Sequence, residues 1–108
     1  MDKTLLMEQV KRKVNVTWED NDTTARLEEI INSAIPYLIH RLGIADNDFD
    51  FSNAGLENTL FLSYCLYEWN HCLNEFEDNY ANMIATARDK HRVDYYLKEA
   101  EESDDSEE

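Results

Sequence analysis

The chain has 108 residues, 43% of them hydrophobic, which suits one domain with a single modest core. Its formal charge of −14, from 24 acids against 10 bases, disfavours attachment to DNA or to an anionic membrane, since both need clustered Lys and Arg. Two glycines and one proline leave few tight turns, which disfavours a many-stranded β architecture, and no apolar run approaches the roughly 18 residues that span a bilayer. The charge is uneven. Seven carboxylates and no base lie in residues 99–108 (EAEESDDSEE), so of the −14 about −7 remains on residues 1–98. The start MDKTLLMEQVKRK lacks the apolar core of a signal peptide, so the protein is expected to be soluble and to stay inside the cell that makes it.

A first helix is predicted over about Lys3 to Val14, with Leu6, Met7, Val10 and Val14 toward the core; at that length it must pack on something to persist. The polar connection NVTWEDND follows. Trp18 is expected to anchor in a groove between helices, and Asp20 and Asp22 suit a helix N-terminus. The second helix is predicted from about Thr23 to Leu42, on the stripe Leu27, Ile30, Ile31, Ala34, Ile35, Leu38 and Leu42, with Gly43 as a left-handed stop. The stripe keeps phase across Pro36, which predicts a kink. Residues 44–53 read as a loop with Phe49 and Phe51 among acids, and Ser52 or Asn53 is expected to cap the next helix.

From Leu56 to Ile84 the period is again helical, but more than one side is apolar. One stripe is Leu62, Cys65, Trp69, Cys72, Phe76, Tyr80 and Met83; a second flank carries Phe61, Tyr64 and Tyr67. A helix apolar nearly all round is buried centrally or shared with a neighbour, and a chain this short has little with which to bury it. Assembly is therefore expected. The stretch Glu77 to Tyr80 (EDNY) is the weakest part of this helix, because Asp and Asn compete with helical bonding; a bend there and a continuous helix both fit. A last helical stretch from Ala81 leads into the acidic tail, which is expected to be disordered. The expected fold is all-α: three to four helices, one of them long, central and aromatic-rich, forming a domain over 1–98 before the tail 99–108. The expected core is Leu27, Ile31, Ala34, Leu38, Leu62, Trp69 and Phe76.

Chemical motifs are weak. Glu68 and His71 make a Glu-x-x-His pair of the kind used by carboxylate-bridged metal bundles, but no second pair exists. Cys65 and Cys72 lie seven apart on one predicted helical face, a rise of about 10.5 Å against a Cα limit of about 7 Å for a disulfide; without a Cys-x-x-Cys or matching His spacing they read as buried small apolar residues. The serines lack a strand–turn–helix elbow and there is no glycine-rich phosphate cradle. No enzymatic activity, metal or cofactor is expected.

The layout is similar to a known one. A short amphipathic helix ends in KVNV, an acidic connection leads into TTARLEEIINSAIPYLIHRLGI with its Ala34, Leu38, Leu42, Gly43 ending, and a tyrosine-rich stretch follows, with Tyr64, Trp69, Asn70, Glu75, Phe76, Asn79 and Tyr80. This resembles the small head–tail connector proteins, or adaptors, of long-tailed bacteriophages, over roughly residues 3 to 97. The resemblance implies a structural virion protein: a helical protomer that forms a ring of about a dozen copies beneath the portal protein. The ring extends the DNA channel and offers a platform for the stopper or tail-completion protein; free protein is compatible with a monomer until the portal templates it. Carboxylates toward the channel would repel DNA and let it slide without specific binding. Phe49, Phe51, Phe61, Tyr64 and Tyr67 are candidate subunit contacts; the bases gather at Lys11, Arg12, Lys13 and at Arg88, Lys90, Arg92, each cluster a solvated helix face or a docking patch, with Arg88, Lys90 and Arg92 the candidate patch. The alternative class is an acidic phage-encoded DNA mimic that blocks a DNA-binding enzyme. It needs carboxylates along an exposed folded face, whereas seven of twenty-four sit in the tail.

Overall fold

A computed structural model describes residues 2–106, with side chains through Asp94 and at Leu97. Helix α1 (Lys3–Lys13) starts where the Asp2 carboxylate accepts from the amides of Thr4 and Leu5, and α2 (Asn21–Leu42) where Asp20 accepts from Thr23. Helix α3 (Leu56–Trp69) is followed by a tight 3-10 turn (Leu73–Glu75), the single-turn α4 (Phe76–Asn79) and α5 (Ala81–Ser106). The protein is all-helical, with no strand among the described residues.

Three helices stop in the same way. Each reaches a residue in the left-handed backbone region, Asn15 (φ 62°), Gly43 (φ 68°) or His71 (φ 60°). The next amide in each case, that of Val16, Ile44 or Cys72, donates back to the carbonyl of Lys11, Ile39 or Tyr67 at 2.9–3.0 Å. This is the Schellman motif, which satisfies carbonyls the helix leaves free and tucks an apolar residue under its end. Val16 and Ile44 are buried accordingly, and Cys72 half-buried.

Helix α2 lies at the centre, packed on α1, α3 and α5, and α3 on α1, α2 and α5. The core joins Leu6 and Val10 of α1 to Leu27, Ile31, Ala34 and Leu38 of α2 and to Leu60, Phe61, Tyr64 and Cys65 of α3, closed by Phe51, Phe76, Ile84 and Ala87. Pro36 is tolerated inside α2 because both it and Asn32, whose carbonyl loses its partner, face solvent.

Four expectations are corrected. The helix from Leu56 does not run to Ile84: it ends at Trp69, through the left-handed His71, well before Glu77–Tyr80. Cys72 therefore leaves the helical face of Cys65. Second, α3 faces the core with Leu60, Phe61, Tyr64 and Cys65, while Leu62 and Trp69 are only partly buried; an almost uniformly apolar helix gives its orientation no clear sequence signal. Third, neither Ser52 nor Asn53 caps α3. Gly55 does, at φ 151° and ψ −168°, a conformation open to glycine and little else. Fourth, Trp18 is 51% exposed, its indole N–H donating to Thr23 Oγ1 across 3.2 Å and reaching no groove between helices.

The backbone of α5 is helical to Ser106, inside the segment from residue 99 for which disorder is expected. Ala, Glu and Lys favour helix, and an established helix extends at low cost once nucleated. Residues 107 and 108 of the tail lie outside the described residues. With its 26 residues α5 is about 39 Å long. The molecule measures 58 × 29 × 19 Å with a radius of gyration of 16.1 Å, against about 13 Å for a compact chain of this length.

Candidate interaction surface

Three polar clamps hold the helices in place and decide which side chains remain free. The first is at the start of α3, where Glu57 is buried. Its Oε1 accepts from Lys90 Nζ at 2.9 Å and lies 2.9 Å from His91 Nε2, both on α5. Burial alone would raise its pKa, but the bonds from Lys90 and His91 outweigh it and hold the carboxyl below the usual glutamate range. Phe49 packs edge-on against both His91 (5.5 Å between ring centres) and Phe51 (5.0 Å), so the loop before α3 is fastened to the same point.

The second clamp joins α2 to α4. The Tyr37 hydroxyl donates to Glu77, and Arg41 Nε donates to the same oxygen at 2.8 Å. Partial burial and the adjoining Glu77 carboxylate push the Tyr37 phenol up to about 12, while Arg41 and the phenol hold Glu77 low. The third closes the end of α3. Arg26 Nη2 donates to the free carbonyl of Trp69 (2.6 Å), stands 3.2 Å from His71 Nε2, and places its guanidinium 4.3 Å from the Trp69 ring centre. Beside it, Glu68 Oε2 is buried without a hydrogen-bond partner among the described residues, and burial raises that carboxyl. The phenol of Tyr64 is pushed up to about 12 by burial and the charge of Glu68.

The loop itself is pinned by amides. Asn58 Nδ2 donates to the Phe51 carbonyl (2.7 Å) and to Gln9 Oε1 (3.0 Å), and Gln9 Nε2 donates to the Ser52 carbonyl (2.9 Å). These bonds seat Phe51 under α1 and α3.

The five candidate subunit contacts are brought together, but inside the protomer. Phe51 and Phe61 are fully buried and stacked 5.5 Å apart. Tyr64 is buried against Phe76 and Tyr37. Tyr67 is half-buried, edge-on to Phe76 and Tyr80, with its hydroxyl accepting from Asn79 Nδ2 at 3.0 Å; Phe49 is half-buried as described. Phe51, Phe61 and Tyr64 thus belong to the core of the protomer and are not free surface contacts, while Phe49 and Tyr67 lie half-buried against it. The break after Trp69 explains it: the chain folds back, and the 3-10 turn, α4 and α5 cover a flank that a straight helix would have left bare. Of the candidate docking patch, Lys90 is engaged by Glu57 and Arg92 by Asp89 (3.1 Å), while Arg88 is exposed.

What is exposed lies elsewhere. On α5, beyond the clamp at His91, Val93 is 53% and Leu97 61% exposed; four residues apart, they share one face of the helix. The second feature is the run Lys11, Arg12, Lys13 in the last turn of α1, where positive charge suits the helix dipole. The basic run is visible in the sequence; the bare apolar pair is not, because it depends on where α5 leaves the bundle.

Among the described residues no three His, Cys, Asp or Glu side chains are grouped to hold a metal, and His71 lies beyond the end of the helix that carries Glu68. No described helix is long and apolar enough to cross a membrane. Cys65 and Cys72 are free thiols, and burial pushes the Cys65 thiol up, away from the reactive thiolate. Comparison with protein-family models, with curated proteins and with solved structures finds no match to this chain.

Proposed function

We propose that this protein is a structural component of a tailed bacteriophage, a head–tail connector that docks as a ring beneath the portal protein. There it extends the DNA channel and carries the stopper or tail-completion protein. The observation that carries the reading is the form of α5. A helix of about 39 Å leaves a small bundle and bears an apolar face, Val93 and Leu97, that its own chain does not cover. An apolar pair on one face of a projecting helix offers a surface on which a partner can dock. The rest of the molecule supports an architectural part: a rigid core fastened by polar clamps and a chain of net charge −14, which repels DNA and lets it pass. The ring number and the virion location at the head–tail junction come with the resemblance to connectors.

The test is to mix the purified protein with portal rings of the phage that encodes it and image the product by electron microscopy. Added density on one end of the portal is expected, and Leu97→Asp should abolish it while circular dichroism stays unchanged. Portal rings that remain bare at any protein excess would remove the connector reading, and inhibition of a DNA-binding enzyme by the same sample would put the DNA mimic in its place.

A further inference from the structure

Bases gather at the end of α1 and acids at the end of α5. Lys11, Arg12 and Lys13 close α1, and no ion pair among the described residues engages them. Arg12 and Lys13 edge a shallow groove between α1 and α3 whose wall includes the partly buried Leu62. The other patch is the end of α5, where Val93 and Leu97 are followed by Glu99, Glu101, Glu102, Asp104 and Asp105 within the helix. Among the described residues α5 packs on α2, α3 and α4 but not on α1. Acids in the last turns of a helix face the negative end of its dipole, an arrangement that nearby bases relieve.

We infer that the end of α5 docks in the α1–α3 groove of a second copy of this chain. Val93 and Leu97 meet Leu62, the one apolar side chain of a groove otherwise lined by Gln9, Asn58, Arg12 and Lys13, and the acids that follow meet Lys11, Arg12 and Lys13. The sign of charge matches between the two ends. Because donor and acceptor surfaces differ, the contact is heterologous: every pair leaves one free α5 and one free groove, so association propagates and closes if the rotation allows. The inference deepens the connector reading, on which closure into a ring rests; the pairwise contact requires no portal.

Two full-length variants test it. One lacks the donor: Val93→Ser, Leu97→Ser, Glu99→Gln, Glu101→Gln, Glu102→Gln, Asp104→Asn and Asp105→Asn. The other lacks the acceptor: Lys11→Gln, Arg12→Gln and Lys13→Gln. Circular dichroism checks that each keeps the wild-type fold. Sedimentation velocity at low salt, up to the highest soluble concentration, should show oligomers for the wild type, monomers for each variant alone, and a one-to-one dimer when the variants are mixed. The dimer forms because one variant still has α5 and the other still has the groove. A monomeric wild type, a variant that self-associates like the wild type, or a mixture that stays monomeric would overturn the contact. Portal imaging keeps the two ideas apart: portal density without the mixed dimer removes this contact alone, and the mixed dimer without portal density removes the connector reading alone.

Discussion

His71 closes α3 with a backbone that glycine adopts freely and a histidine does not. His71→Gly and His71→Ala both delete the imidazole and its contact with Arg26, so their difference isolates the backbone. The glycine variant should be the more stable by about 1 kcal/mol in urea denaturation. Two glutamates give opposite pH signatures. Glu57 has a depressed pKa in the folded protein, so its stabilisation is present above the ordinary glutamate range and is lost as pH falls through the depressed value. Glu68 has a raised pKa and a buried oxygen without a partner, so it costs stability at neutral pH, and that cost vanishes as pH falls through the raised value. Glu68→Gln should therefore stabilise the protein at pH 7 by about 1 kcal/mol, with the gain shrinking on acidification. Glu57→Gln should destabilise it at pH 7, with the loss shrinking on acidification. Denaturation curves across pH for both variants check the signs.

At the scale of elements the orientation of α3 is the point of interest. Phe61→Ala should cost about 3–5 kcal/mol, as truncation of a buried aromatic does, and Leu62→Ala clearly less, because Leu62 is only partly covered. Comparable losses at the two positions would mean that the helix is turned differently. Helices α1 and α2 were legible from their residues because each has one narrow apolar stripe and a polar remainder; Leu27, Ile31, Ala34 and Leu38 are buried as the stripe requires. Helix α3 has apolar residues on nearly every side, so periodicity identified a helix without fixing its rotation. Its stop was hidden for a related reason. Gly43, and in retrospect Asn15, are residue types that end helices, whereas His71 carries no such signal and takes the left-handed position because Arg26 and the Tyr67 carbonyl hold the turn. Tyr64 and Tyr67 are covered for the same reason: the reversal after Trp69 brings Phe76 and Tyr80 back over them.

For the whole molecule, fold and assembly are carried by separate parts. Among the residues whose side chains are described, the core ends at Ala87 and the clamp at His91; beyond them Val93 and Leu97 are exposed. Neutralising Glu99, Glu101, Glu102, Asp104 and Asp105, which add no apolar area to a core, should leave the stability of the monomer within about 0.5 kcal/mol of the wild type in urea denaturation. A large drop would mean that these acids dock on their own chain. The central claim is that α5 serves a neighbouring copy in a ring on the portal. The most direct measurement is electron cryomicroscopy of the portal-bound assembly at a resolution that traces helices. The account predicts a closed ring in which α5 of each protomer lies in the groove between α1 and α3 of the next, with its acidic end against Lys11, Arg12 and Lys13. A bare portal, or a ring whose α5 helices touch no neighbouring copy, would contradict it.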